Sequence, residues 1–148
     1  MRKTADASDD MRVASEKNRR EEKMNKIKHF TDLEVWRRSH RLFLDLLEDI
    51  KRFSKNEVTR IIVNQMVRSV GSISANISEG FNSKSTKQYL NYLDIAKRTT
   101  GESENWYYKV RDAGLLENDI AEKRVAECIE ISKMLQGLMN SLVRTSRP

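Results

Sequence analysis

Residues Ile61–Ser78 read IIVNQMVRSVGSISANIS and carry one charged residue, Arg68, in a chain that is 34% charged overall. At the helical step of about 100° per residue, Ile62, Met66, Val70, Ile73 and Ile77 fall on one apolar stripe. Arg68, Ser72, Asn76 and Glu79 follow as a polar line along one flank. Val67, Gly71, Ala75 and Ser78 make a third strip of mostly small residues. A bundle helix with a single buried stripe should show a charged outer face, and this one has none. Its sides are therefore expected to be covered by neighbouring helices or by a second copy of the chain.

Working outward, Ser54-Lys55-Asn56-Glu57 has the form of a capping box, so this helix is expected over residues 55–79, with Gly80 as a left-handed stop. Upstream, Thr31-Asp32-Leu33-Glu34 reads as another capping box, with Phe30 and Val35 at hydrophobic-staple spacing. It opens a helix over residues 32–53, whose stripe is Leu33, Trp36, Phe43, Leu47 and Ile50, widened by Leu42 and Leu46. Arg37, Arg38, Arg41, Asp45, Glu48, Asp49 and Lys51 fill the remainder and read as a solvated face. Downstream, Ser85-Thr86-Lys87-Gln88 starts a helix over residues 86–113 with Tyr89, Leu93, Ala96, Thr100, Ser103, Tyr107 and Val110 as its seam, and Gly114 ends it. The last helix, over residues 119–143, carries Ala121, Val125, Cys128, Ser132, Leu135, Met139 and Leu142. Long amphipathic helices joined by short turns predict an all-α, antiparallel up-down-up-down four-helix bundle over residues 29–143.

The flanks differ in composition. Residues 1–28 hold nine Lys/Arg against six Asp/Glu, half of the chain's net +6, and almost no large apolar groups. Such a segment buries too little surface to offset chain entropy, so a disordered or frayed helical tail is expected. A solvated tail explains it; a basic arm touching nucleic acid is the other reading. Residues 144–148 are expected to fray. Only five Gly and one Pro argue against an all-β fold, and the single cysteine excludes an internal disulfide. Cys128 lies in an apolar phase and reads as a buried, inert thiol. With no apolar run long enough for a bilayer and no secretion signal, a cytoplasmic protein without membrane contact is expected.

Catalytic chemistry finds no foothold. His29 and His40 show no metal-ligand pattern, and there is no glycine-rich phosphate loop or nucleophile–base spacing. The expectation is a protein without catalytic, cofactor-binding or metal-binding residues. The one constellation that has the makings of a site is the polar line Arg68, Ser72, Asn76, Glu79, joined by Glu102 from the next helix. An arginine with a carboxylate can satisfy a buried network, which suits a structural role between helices or subunits better than ligand binding. For nucleic acid, the bundle alone is only weakly basic, at net +3. A ring of subunits would multiply that charge and could align Lys84, Lys87, Lys97 and Arg98 into a belt suited to RNA or DNA backbones.

The placed helices resemble a family of bacterial four-helix-bundle proteins named after intervening sequences in 23S ribosomal RNA. The resemblance rests on Phe30-x-Asp32-Leu33-x-Val35-Trp36, on Gln65-x-x-Arg68-Ser69, and above all on Ser72-Ile73-Ser74-Ala75-Asn76-Ile77-Ser78-Glu79-Gly80, which parallels the family's Ser-Ile-Pro-Ala-Asn-Ile-Ala-Glu-Gly. Ala96, Glu102 and Gly114-Leu115-Leu116 fit further family motifs. Ser74 stands where the family has proline, so the helix is expected to be straighter here. Arg98-Thr99-Thr100 replaces Gly-Ser-Leu and brings a charge near a place where family helices pack closely. The resemblance implies a ring-like homopentamer without catalytic activity that serves as an adaptor for a protein or ribonucleoprotein. A related group, the accessory variability determinants of diversity-generating retroelements, implies an alternative: a nucleic-acid-binding partner of a reverse transcriptase.

Overall fold

A computed structural model describes residues 6–146, apart from the side chain of Met24. Residues 1–5 of the expected tail and 147–148 of the expected C-terminal fray lie outside the described residues. The described chain is all-helical: α1 (Ala7–Asn25), α2 (Glu34–Asp49), α3 (Glu57–Phe81), α4 (Thr86–Asp112) and α5 (Asn118–Thr145), with short 3-10 turns at Phe30–Asp32 and Ile50–Arg52. There are thus five α-helices where four were expected. The additional one, α1, forms within the charged N-terminal segment. Asp6 accepts a hydrogen bond from the Ser8 N–H at 3.2 Å, and Asp9 and Asp10 at its start and Lys23 at its end suit the helix dipole. Its described side chains are all exposed, and none of them joins the core.

The other four helices enclose one core. α3 packs on α2 and α4, α4 on α5, and α2 closes against α5. The short connections leave sequence neighbours no arrangement but antiparallel. Met66, Val70, Ile73 and Ile77 of α3 are fully buried, against Leu42 and Leu46 of α2, Leu93 and Tyr107 of α4, and Ile131 and Leu135 of α5. The α3 stripe thus faces inward along its length.

Local chemistry sets the boundaries. Asn56 caps α3, its Oδ1 accepting from the Thr59 N–H at 2.9 Å, two residues later than the expected Ser54. Ser85 caps α4 by accepting from the Gln88 N–H at 3.2 Å. Gly114, at φ +72, ends α4: Leu115 N–H reaches the Val110 carbonyl at 2.9 Å and Gly114 N–H the Arg111 carbonyl at 3.0 Å. This double closure needs a left-handed residue, and glycine adopts it without strain.

Three expectations are corrected. The Thr31–Glu34 capping box does not form. Asp32 accepts from the N–H groups of both Lys28 and His29 at 3.0 Å, and His29 Nδ1 lies 2.8 Å from the Thr31 hydroxyl, so capping serves the 3-10 turn and α2 starts at Glu34 with no side-chain cap. Gly80 is not a left-handed stop. It lies inside α3, where an added Cβ would sit 2.9 Å from both Tyr89 Cδ2 and Tyr92 Cβ, so its role is the close approach of α3 to α4. On α2 the core line is Val35, Ser39, Leu42, Leu46 and Asp49, with Trp36, Phe43 and Ile50 half-buried beside it. The expected solvated Asp49 is only 3% exposed.

Candidate functional site

The polar line is brought together on one face of α3, and its hydrogen bonds stay within that helix. Ser72 Oγ donates to the Arg68 carbonyl, and Asn76 Nδ2 donates to the Ser72 carbonyl at 2.8 Å. Arg68 and Glu79 are exposed and form no ion pair among the described residues, and the same holds for Glu102 on α4. Within one chain, then, these five residues do not tie helices to each other. The buried cross-link between α3 and α4 is made one position away on each helix: Ser69 Oγ and Ser103 Oγ are 2.7 Å apart, and Ser103 also donates to the Thr99 carbonyl at 2.9 Å.

The strongest polar contacts join α2 to α5. Arg124 makes two hydrogen bonds to the Asp49 carboxylate, at 2.7 and 3.0 Å, and a longer one to Asp45 at 3.4 Å. Its hydrogen bonds to Asp49 raise the Arg124 guanidinium above its already high ordinary value. Arg38 grips Glu127 with two contacts of 2.8 Å. Sequence reasoning missed both pairs because it assigned Arg38, Asp45 and Asp49 to a solvated face and singled out neither Arg124 nor Glu127. The signal was present: Asp49 continues the Leu42–Leu46 line at the next core position.

Two buried groups adjoin this region. The Tyr107 hydroxyl is fully buried without a hydrogen-bond partner among the described residues, and burial pushes its pKa far up. Burial likewise pushes the Cys128 thiol up to about 12, which keeps it a thiol at neutral pH. Among the described residues no group of three His, Cys, Asp or Glu is placed to hold a metal ion. No described helix is long and apolar enough to cross a membrane.

The basic residues spread out. Lys84 lies in the α3–α4 turn and Lys87 in the first turn of α4, both exposed. Lys97 donates to Gln136 Oε1 at 2.8 Å, which turns it toward α5. Arg98 is exposed and paired with Asp94 at 3.2 Å, so its charge is directed along α4 rather than into a tight helix contact. The four cations are therefore two separate pairs in one chain.

The outward face of α3 has its own character. Val58 is 66% exposed and Ile61 56%, and Asn64, Gln65, Arg68, Ala75 and Glu79 continue that face at helical spacing. Two large apolar side chains and an alanine share this face with only two charges between Ile61 and Glu79, Arg68 and Glu79.

The family model described as 23S rRNA-intervening sequence protein matches residues 31–137, a span that contains the Ser72–Gly80 run and most of the core. Among solved structures, a protein of unknown function from the S23 ribosomal protein family of Bacteroides thetaiotaomicron is similar, with a TM-score of 0.64 and 24% identity over 71% of this chain and 97% of that one. At that identity the likeness is one of fold. Comparison with curated proteins gives no match. Since the family model spans well over half of the sequence, the chain belongs to the 23S rRNA-intervening sequence protein family.

Proposed function

We propose that the protein is a non-enzymatic cytoplasmic adaptor that assembles into a ring-like homo-oligomer, a pentamer, and presents its outer surface to a protein or ribonucleoprotein partner. The outward face of α3 carries this reading. Val58 and Ile61 stand exposed at one end, and from Ile61 to Glu79 that face holds only Arg68 and Glu79 as charges. Burying Ile61 against a neighbouring copy removes apolar surface worth about 2 kcal/mol per subunit. The polar line then has a use it lacks within one chain: Arg68, without an ion pair among the described residues, takes a carboxylate of the neighbouring copy and sets the register. Light scattering on the purified chain tests this. Ile61→Glu should reduce the assembly to single chains while the helical circular dichroism persists, and Arg68→Ala should lower its mass or loosen it. An unchanged mass in both variants would exclude this face as the interface.

A second reading, a nucleic-acid-binding accessory factor that partners a reverse transcriptase, is favoured by charge. The chain carries net +6, and Lys84 and Lys87 make no ion pair among the described residues. In a ring this charge would be repeated around one assembly and would draw polyanions at low salt.

A further inference from the structure

We propose that the start of α2 and the facing turns of α5 form a binding site for single-stranded nucleic acid, with the His40 ring as a stacking platform and Arg37, Arg41 and Lys123 as phosphate contacts. It rests on the nucleic-acid reading above but places binding on a different surface from Lys84 and Lys87. His29 and Phe30 have centroids 4.1 Å apart, Phe30 and Trp36 5.4 Å, and Trp36 and His40 4.9 Å with planes only 10° apart. Phe30 and Trp36 are anchored on the core, whereas His40 is exposed. The ladder therefore runs from the core to a solvent-exposed flat ring, already backed on one side by Trp36. An outer planar ring of this kind accepts a nucleobase of any identity.

The cations lie on the adjoining flank of α2. A groove of about 510 Å³ runs between α2 and α5 and is lined by Arg37, Arg38, Arg41, Lys123 and Arg124 together with three carboxylates. Two of the five cations are already used, Arg38 by Glu127 and Arg124 by Asp49 and Asp45. Those bridges fix the walls and leave Arg37, Arg41 and Lys123 without an ion pair among the described residues. Arg37 is held in place by donating to the carbonyls of Thr31 and Asp32 at 3.1 Å, contacts that orient its guanidinium without cancelling its charge. Arg37 and Arg41 are one helical turn apart on the groove side of α2. His40, three residues after Arg37, stands on the adjoining flank outside the groove lining, so a strand held by the cations reaches the ring by passing over the edge of α2. A rigid duplex offers the cations its phosphates but hides its base faces from His40. A single strand offers both.

Fluorescence anisotropy with the full chain tests this, using a labelled oligouridylate and a labelled duplex as probes at low salt. Replacing Arg37, Arg41 and Lys123 together by Gln should weaken oligouridylate binding about tenfold or more and flatten its salt dependence. His40→Ala should weaken oligouridylate binding about tenfold but leave duplex binding within about twofold, because only the stacking contact is lost. All four side chains are exposed, so the variants should stay folded, with a small drop in melting temperature where Arg37 loses its two carbonyl contacts and His40 its stack on Trp36. If the parent binds but the triple variant binds equally well, while Lys84→Gln with Lys87→Gln abolishes binding, this site is wrong and the nucleic-acid reading stands. Equal losses on duplex and single strand for His40→Ala overturn the stacking role. No binding by the parent sinks both.

Discussion

Asp49 and Arg124 show how much a single side chain decides in this molecule. The carboxylate is almost fully buried, and the guanidinium that meets it with two hydrogen bonds keeps 22% of its side chain exposed. Asp49→Ala would leave that guanidinium only the long contact to Asp45, and should cost about 3 kcal/mol in urea denaturation, the lower end for a broken buried pair because water still reaches Arg124. A loss too small to measure would mean that the pair is solvated in solution. Burial also leaves a mark on the alkaline side. The Cys128 thiol and the Tyr89 phenol are each pushed up to about 12 by desolvation, from ordinary values of 9.0 and 10.0. Both hold their protons more tightly folded than unfolded. The stability they contribute is therefore complete below a pH of about 9 and is lost as pH rises toward about 12. Melting temperature should fall across that range, and Cys128→Ala should make the fall shallower; an identical slope in parent and variant would contradict the assignment.

At the scale of the elements, the α3–α4 contact turns on Gly80. An added methyl there meets Tyr92 Cβ, an atom fixed to the α4 backbone, so the helices must part. Gly80→Ala should destabilise by about 1–2 kcal/mol even after its gain in helix propensity. Gly101→Ala, where a Cβ meets nothing within 4 Å, should stabilise by about 0.5–1 kcal/mol. Opposite shifts in melting temperature from the same exchange would confirm that Gly80 is there for packing; shifts of one sign would refute it. The helices themselves were legible in the sequence because Ser85 and Gly114 act locally and the apolar stripe of α3 has a clear period. Gly80 was misread because a glycine at a helix end looks alike whether it turns the chain or admits a neighbour. The α2 stripe came out displaced because Asp49 and Ser39 occupy core positions, and residue type alone places both in water. The polar line was legible as a line, but no local pattern could tell that its hydrogen bonds run along α3 while Ser69 and Ser103 make the link to α4. The α2–α5 groove was hidden for the same reason, since it depends on which helix lies alongside which, whereas the Trp36–His40 stack, at i,i+4 spacing on one helix, was open to a local reading and was missed.

For the whole molecule, burial and charge divide the surface into regions with different tasks. Inside, α2 to α5 close around one apolar core, with two arginine–carboxylate bridges along the α2–α5 seam. Outside, α1 adds charge without joining that core, the α2–α5 groove gathers unpaired cations, and the outer face of α3 remains poor in charge. That last face bears on the proposed assembly, since a ring joins two different faces of each copy head to tail and the outer face of α3 offers an uncovered, charge-poor surface for one of them. The most direct test is the native mass of the full chain at physiological salt and micromolar concentration. A pentameric ring predicts about five times 17.3 kDa. A stable species of 17.3 kDa would contradict it, because Val58 and Ile61 would then face water permanently.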